Sequence, residues 1–418
     1  MKFWLNSLLY YFSFDIKWRV EKRKEEIIMK KLLAVILTVF MLLSVTACST
    51  EKTTEETKTT EPQVLETDVL KWADYKVYNL DEKENVNNII LMIGDGMGEN
   101  TIKATEVVKG DKLVMSGLKH KTHVTTYSQS VTEGEAEFTD SAASATAIST
   151  GVKTYNGYIG VDKDGNKLET ITEYCQKLGM KTGVVDRHYV CHATPAGMVA
   201  HNDFRGAYRA ILNEMIKSGV NVMLGGGSQY YTPSVEENAK ENGYKYVSTG
   251  EDLQDLTNKD EKVLGLFAYD NMKNVELKPT LTTQTAKALE LLENDNGFFL
   301  MVEGSNIDVS ASEGDMADTI KQVQAFDQSV DYVMNWAESH PGTLVIVTAD
   351  HETGGVKLPE NPTPDKINDS CFTSDGEHTN TNVLLMADGA NSADLCKKKV
   401  IDNTDIAKYM RKVLAYKK

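Results

Sequence analysis

The sequence has no excess of basic residues. Its 418 residues include 45 Lys and Arg against 61 Asp and Glu, which gives a formal net charge of −16. Proteins that bind nucleic-acid backbones normally carry a basic patch or excess, so the composition argues against nucleic acid as a partner. It leaves room for a small anionic substrate, which a local cluster of metal ions and arginine can attract.

Cysteine is scarce, and no two of the five cysteines have CxxC spacing. A thiolate metal site is therefore not expected. An exported location would permit disulfides among the last four, although their pairing does not follow from sequence. The chain also lacks an internal repeat, and no linker-like segment follows residue 66, so residues 66–418 are expected to form one folded domain.

The apolar run Leu32–Val45 is short for a membrane span, which needs roughly 20 residues. It follows Met29 and two lysines and precedes small residues and Cys48, which is the pattern of a secretory signal. The end of the run resembles a bacterial lipobox, in which the cysteine is lipidated and becomes the mature N-terminus. We therefore expect an exported lipoprotein on the outer face of the bacterial cytoplasmic membrane, or an otherwise extracellular or periplasmic protein. An uncleaved membrane anchor is the alternative, and Met29 rather than Met1 is the plausible true start.

Residues 49–65 are rich in Thr, Glu and Lys and contain no aromatic residue. Such a segment cannot bury enough apolar surface to offset the entropy lost on ordering. We expect it to be a flexible linker between an N-terminal extension with signal peptide (1–48) and the folded domain (66–418).

Short unalternating apolar runs alternate with helical patterns along this domain. Such runs are typical of strands covered on both faces. The predicted strands are Asn88–Ile93, Thr182–Val185, Val220–Leu224, Phe298–Val302, Thr343–Thr348 and Asn382–Met386. The predicted helices include Leu281–Asn294, Met316–Ser339 and Asp405–Leu414. The pattern indicates an α/β three-layer sandwich with a mostly parallel central sheet flanked by helices.

Acidic, histidine and hydroxyl residues gather near the predicted strand ends, where ligands collect in this architecture. Taken singly, each would more often be a turn, a cap or a salt-bridge partner. Together, their oxygen and imidazole donors fit a site for several metal ions. The residues are Asp95, Ser141, Thr194, Arg205, Glu303, Asp308, Asp350, His351 and His378.

Phosphoryl transfer would account for these residue types. Two metal ions about 4 Å apart can clamp the attacking and leaving oxygens of an in-line displacement. Ser141 lies at the apparent start of a small-residue helix, where backbone N–H groups and the helix dipole favour a phosphate. Arg205 can bind two phosphate oxygens at once, which a lysine cannot match geometrically.

From about Asn88 to the C-terminal helix, these segments resemble the alkaline phosphatase family. The stretch from Thr139 to Ala147, TDSAASATA, is similar to the family's nucleophile motif. The resemblance implies that Ser141 becomes phosphorylated and that Arg205 grips the phosphate. It also implies two zinc sites, one magnesium site and small phosphomonoesters as substrates. Dimers are common in the family. The implied ligands are Asp95, Asp350 and His351 for the serine metal, Asp308 and His378 for the leaving-group metal, and Asp95, Thr194 and Glu303 for magnesium, with His192 as a tuning neighbour.

One position departs from the family pattern. The family has a histidine four residues after the aspartate that corresponds to Asp308, and this chain has Ser312. Glu313 or Asp315 could rebuild the site with oxygen ligands and favour harder metals. Otherwise the site is weakly occupied and turnover is reduced, or the site is inactive.

Two other functions are alternatives to a phosphomonoester hydrolase. A related hydrolase acting on diesters or sulfate esters is one, but the Cys/Ser-x-Pro-x-Arg signature of sulfatases is absent around Ser141. A lipoprotein that binds phosphate or metal on a weakened catalytic scaffold is the other, and Ser312 is its only support.

Overall fold

The computed structural model describes residues 66–417. The predicted signal peptide, the lipidation at Cys48 and the linker all lie outside these residues. Within the described part, no helix is both long enough and apolar enough to cross a membrane.

A ten-stranded sheet runs through the domain in the order β12-β2-β11-β8-β1-β7-β3-β4-β6-β5. Every residue of β1, β7 and β8 is buried, as expected for strands covered on both faces. A separate antiparallel pair is formed by β9 and β10. The strands are β1 Asn88–Gly94, β2 His120–Thr125, β3 Lys181–Tyr189, β4 Val222–Gly226, β5 Tyr244–Val247, β6 Lys262–Leu266, β7 Phe298–Gly304, β8 Thr343–Thr348, β9 Glu352–Thr353, β10 His378–Thr379, β11 Val383–Gly389 and β12 Val400–Asp402.

Helices flank the sheet, and hydroxyl or carboxylate side chains begin several of them. Thr170, Thr280 and Asp315 each accept a hydrogen bond from the backbone N–H three residues later, which satisfies a donor that has no partner within the helix. The helices are α1 Glu99–Lys109, α2 Gln129–Thr132, α3 Ser141–Thr150, α4 Ile171–Lys177, α5 Ala193–Val199, α6 Tyr208–Lys217, α7 Pro233–Glu241, α8 Gly250–Gln254, α9 Leu281–Leu292, α10 Asn306–Ser312, α11 Met316–Glu338, α12 Ser392–Leu395 and α13 Thr404–Leu414.

Strand β11 is the one reversed member of the sheet, because it pairs antiparallel with both β8 and β2 while the other pairs are parallel. The start of a reversed strand lies at the edge where its parallel neighbours end. The residues just before β11, including His378, are therefore brought to the edge where β1, β7 and β8 deliver their carboxyl ends.

The predicted three-layer α/β fold with a mostly parallel sheet is confirmed. Five of the six predicted strands are parallel members of the sheet, whereas Asn382–Met386 became the reversed strand β11. The sequence did not reveal β2, β5, β6 and β12, which are short or lie at the sheet margins.

Candidate active site

Ser141 is the first residue of α3, and Asp140 immediately before it caps the helix. One oxygen of Asp140 accepts a hydrogen bond from Ala143 N at 3.0 Å. Every residue of α3 is buried, because its Ala, Ser and Thr side chains are small enough to pack closely against α5 and α13. Ser141 is 3% exposed, and its Oγ lies 3.3 Å from His351 Nε2. The predicted nucleophile is therefore fixed at a helix N-terminus.

Arg205 lies in the loop between α5 and α6, and two neighbours hold its guanidinium in place. Its Nη1 donates to the second oxygen of Asp140 at 3.0 Å, and its Nη2 donates to His192 Nε2 at 3.1 Å. His192 can accept this bond because burial, together with His188 and Arg205, lowers its pKa well below the usual value and keeps the ring neutral. Asp140 thus couples the cap of the serine helix to the arginine.

Asp95, Asp350 and His351 form the first of three groups of ligating atoms, each group within 4.8 Å. Strands β1 and β8 pair Ile93 with Thr348, so both aspartates leave the sheet side by side. His351 Nε2 lies 3.4 Å from Asp95 Oδ1 and 3.3 Å from Asp350 Oδ2. The chain turns after Asp95 at Gly96, whose φ of +68° favours glycine.

The second group contains Asp308, His351 and His378. His378 Nδ1 lies 2.8 Å from the carbonyl oxygen of Thr139, to which an N–H can donate, so Nε2 is left free as a ligand. That Nε2 atom is 3.6 Å from Asp308 Oδ1. The Thr353 hydroxyl donates to Asp308 Oδ1 at 2.5 Å and lies 3.1 Å from His351 Nδ1, so it orients both ligands.

The residues after Asp308 do not complete this group. Ser312 follows one helical turn later on α10, on the same face as Asp308, and is exposed. Glu313 forms an ion pair with Lys273, and Asp315 caps α11 by accepting from Asp318 N at 2.9 Å. Both carboxylates thus have other partners in this structure, and the expectation that Glu313 or Asp315 rebuilds the site stays a prediction.

The third group contains Asp95, His192 and Glu303. Glu303 lies on β7 and is fully buried, and the predicted ligand Thr194 lies on α5 and is also fully buried. Neither oxygen of the Glu303 carboxylate has a hydrogen-bond partner among the described residues, and the same is true of Thr194 Oγ1. Buried polar atoms without partners are rare, so they need another partner.

Buried carboxylates at this edge repel one another. Burial raises the pKa of Asp95 well above its usual value, and the neighbouring carboxylates of Asp350, Asp308 and Glu303 raise it further. Burial and the carboxylates of Asp186 and Asp350 do the same for Glu303. The oxygen and imidazole donors of the three groups fit divalent cations, which would neutralise this charge and satisfy the partnerless oxygens.

A cavity of about 590 Å³ adjoins the second group. It is lined by Glu137, Phe138, Thr139, Asn156, Glu377 and His378. Of the second group, His378 is the member that lines this space.

Sequence reasoning found the metal-ligand candidates but missed the residues that orient them. Asp140 could have been found as a helix cap, because aspartate is favoured immediately before a helix. Thr353 gave no sequence signal, since its contacts depend on how β9 returns to the site. The five remaining histidines, His120, His123, His188, His201 and His340, belong to none of the three groups.

Comparison with known proteins gives one family. The family model described as alkaline phosphatase matches residues 86–370. Alkaline phosphatase 4 of Bacillus subtilis is 37% identical over 302 residues, which cover 67% of this chain and 64% of that protein. This chain therefore spans less than two thirds of the length of that relative.

Solved structures agree with this assignment. The alkaline phosphatase of the Antarctic bacterium TAB5 is 31% identical, with a TM-score of 0.72, and the match covers 80% of this chain and 99% of that one. A variant of that enzyme, 29% identical to this chain with a TM-score of 0.71, was solved with Mg bound in its M3 site; the match covers 80% of this chain and 99% of the variant.

Proposed function

Because this chain belongs to the alkaline phosphatase family, we propose that it hydrolyses phosphomonoesters by transferring the phosphoryl group to Ser141 and then to water. The observation that carries the proposal is the position of Ser141. Its hydroxyl lies at the N-terminus of α3, 3.3 Å from His351 Nε2 and beside three groups of ligating side chains. Buried carboxylates that keep oxygens without hydrogen-bond partners, next to a helix N-terminus, suit a phosphoryl group flanked by cations.

Arg205 would bind the phosphate with a guanidinium that is already oriented. Asp140 and His192 engage its two terminal nitrogens and leave the other N–H bonds of the fork for phosphate oxygens. The backbone N–H groups at the start of α3 add fixed donors on the same side. Little reorganisation is then needed when charge develops on the phosphoryl oxygens.

The proposed reaction has two displacements. In the first, Ser141 Oγ loses its hydroxyl proton and bonds to phosphorus, and the bond from phosphorus to the leaving oxygen breaks. The leaving oxygen takes up a proton and departs as the alcohol. In the second, water attacks phosphorus, the bond to Ser141 Oγ breaks, and inorganic phosphate is released. Cations bound by the three groups would stabilise the attacking and leaving oxygens and lower the pKa of the nucleophiles.

We assign zinc to the two groups that contain His351 and magnesium to the third group. The implied ligands of the third group, Asp95, Thr194 and Glu303, are all oxygen donors, which suits Mg²⁺, whereas His351 and His378 bring imidazole donors that suit Zn²⁺. Ser312 leaves the second group with Asp308 and His378, because the single free lone pair of His351, at Nε2, lies beside Asp95 and Asp350 of the first group. We therefore propose that this group binds its cation more weakly than the first, and that turnover depends on the zinc concentration.

Turnover of three substrates tests the proposed function. Protein supplied with Zn²⁺ and Mg²⁺ should hydrolyse p-nitrophenyl phosphate well above a diester or a sulfate ester. Ser141→Ala should lose this activity by several orders of magnitude and should no longer retain labelled phosphate. Ser149→Ala is the matched control, since Ser149 is buried on the same helix and accepts a bond from Ile171 N. Equal activity of wild type and Ser141→Ala would refute the proposal.

Attachment to the membrane through a lipid at Cys48 remains part of the proposal. Metabolic labelling with a radioactive fatty acid should mark the wild-type chain and leave Cys48→Ala unlabelled. Recovery of unlabelled wild-type protein from the medium would contradict it. A homodimer is also expected, and sedimentation velocity in solution tests it separately.

A further inference from the structure

Asp186 is a buried carboxylate that none of the three metal groups includes. It lies on β3, is 0% exposed, and accepts a hydrogen bond from His188 N at 3.0 Å through Oδ1. Its other oxygen, Oδ2, has no hydrogen-bond partner among the described residues. A buried carboxylate oxygen without a partner is costly, so its position calls for an explanation.

The sheet register places Asp186 next to the third group. Strands β3 and β7 are parallel and pair Val185 with Val302. One residue further along each strand, Asp186 follows Val185 and Glu303 follows Val302. The two carboxylates are close enough that Asp186 contributes to the raised pKa of Glu303.

The guanidinium of Arg187 attracts the charge of Asp186 but does not hydrogen-bond to it. The adjacent Arg187 turns its guanidinium away and donates to the carbonyl oxygens of Leu277, Pro279 and Asn274. Burial lowers the pKa of His188 to about 4, so that ring is neutral. The charge of Asp186 therefore adds to that of Glu303.

Other oxygens in this region also lack partners. They are Thr194 Oγ1, Ser305 Oγ and Asn306 Oδ1, in addition to both oxygens of Glu303. Asn306 is held by a hydrogen bond from its Nδ2 to the Arg187 carbonyl oxygen at 3.0 Å. The result is a buried region rich in oxygen acceptors, which is the chemistry of a hard, hydrated cation.

Buried aspartates with a structural role in this protein look different. Asp327 accepts from Val114 N and Met115 N, one with each oxygen. Asp388 likewise uses both oxygens, for Gly389 N and Lys119 N. Asp186 uses only one oxygen for the backbone and leaves the other free in a region of negative charge.

We propose that Asp186 is a further carboxylate of the third metal group, which raises the affinity of that group for Mg²⁺ and its preference for Mg²⁺ over Zn²⁺. This inference rests on the proposed metal-dependent function. Because the one lone pair of neutral His192 accepts from Arg205, Asp95 and Glu303 are the carboxylates of this group, and two carboxylates also bind Zn²⁺. A third carboxylate adds charge and a hydrogen-bond acceptor for the water molecules that Mg²⁺ retains.

Calorimetric titration of metal-stripped protein with MgCl₂ and, separately, ZnCl₂ tests the inference. Asp186→Asn keeps the shape of the side chain and removes its charge. We expect it to weaken Mg²⁺ binding about 10- to 100-fold, as for other residues that support metal ligands. Binding of Zn²⁺ should change less. Asp388→Asn, a buried carboxylate bonded to backbone N–H groups at another part of the sheet, should bind Mg²⁺ like the wild type.

Thermal unfolding without metal keeps the test decisive if a variant folds poorly. Removing one of two repelling carboxylates should leave metal-free Asp186→Asn at least as stable as metal-free wild type. Asp186→Ser, which keeps an oxygen but no charge, should behave in the same way. Unchanged Mg²⁺ affinity in both variants, or a lower melting temperature of both without metal, would overturn the inference. These measurements need no turnover, so an inactive wild type would refute only the proposed function.

Discussion

His201 should make this protein less stable at alkaline pH. Its ring is 5% exposed and lies between two carboxylates, with Nδ1 3.3 Å from Glu214 and Nε2 3.5 Å from Glu173. Nε2 is also 2.9 Å from the Leu168 carbonyl oxygen. Burial alone would lower the pKa of His201, but the bonds to Glu173, Glu214 and Leu168 outweigh it and raise the pKa to about 9.

The direction of the pH effect follows from this raised pKa. The folded protein binds the proton more tightly than the unfolded chain, whose histidine pKa is about 6.5. The stabilisation is therefore fully present below about pH 6.5 and is lost as the pH rises through about 9. A shift of about 2.5 units corresponds to about 3 kcal/mol. Because the Glu173 and Glu214 side chains are 36% and 27% exposed, solvent screening reduces our expectation to about 2 kcal/mol.

Urea unfolding of wild type and His201→Gln at pH 6 and pH 10 measures this contribution. The variant should lose about 2 kcal/mol of unfolding free energy relative to wild type at pH 6, and the difference should nearly vanish at pH 10. His123→Gln is the control, since His123 pairs with Glu99 on the surface and its side chain is 42% exposed. A difference for His201→Gln of the same size at both pH values would refute the reasoning.

Three further predictions concern the site. Asp140→Ala should lower the unfolding free energy by about 1 kcal/mol through loss of the α3 cap. It should also raise KM for a phosphomonoester about 10-fold or more, because Arg205 loses its partner. An unchanged KM would contradict the link between Asp140 and phosphate binding. Arg205→Lys should also raise KM, measured by steady-state kinetics, since one ammonium cannot replace the guanidinium fork. An unchanged KM would mean that Arg205 does not bind phosphate. Removal of the metals with EDTA should lower the melting temperature. The loss should grow as the pH rises from the ordinary to the raised pKa of Asp95, because the unfolded carboxyl then releases a proton that the metal-free folded carboxyl retains. A melting temperature that does not respond to EDTA at any pH would count against the cation sites.

Much of the fold could be predicted because the central strands have strong signals. The strands β1, β7 and β8 are continuous apolar runs, and burial on both faces requires that pattern. Strand β2, HKTHVT, alternates and is polar, and β5 is a four-residue strand at the sheet margin. Their pairing depends on neighbours far away in sequence, so local pattern could not identify them.

The site was predictable where a residue follows a strong strand. Asp95, Glu303 and Asp350 leave adjacent strands at one edge, so proximity follows from the topology. Asp186 also ends a regular stretch of β3, but its role depends on the register with β7. The partner of Glu313 was hidden for the same reason, since Lys273 comes from a distant loop.

The contacts that orient the second group indicate that Ser312 lowers its affinity for a cation but leaves Asp308 and His378 in place. His378 is oriented by the Thr139 carbonyl and Asp308 by the Thr353 hydroxyl, and neither contact involves residue 312. Removing one imidazole therefore leaves the other ligands in place. Since Ser312 is exposed on the same face of α10 as Asp308, Ser312→His should add a ligand without a clash. Zinc bound per chain at limiting Zn²⁺, measured by mass spectrometry after dialysis, should then rise, and the zinc concentration that gives half-maximal turnover should fall. If neither quantity changes, the second group is already complete, and the proposed weakness at that position is wrong.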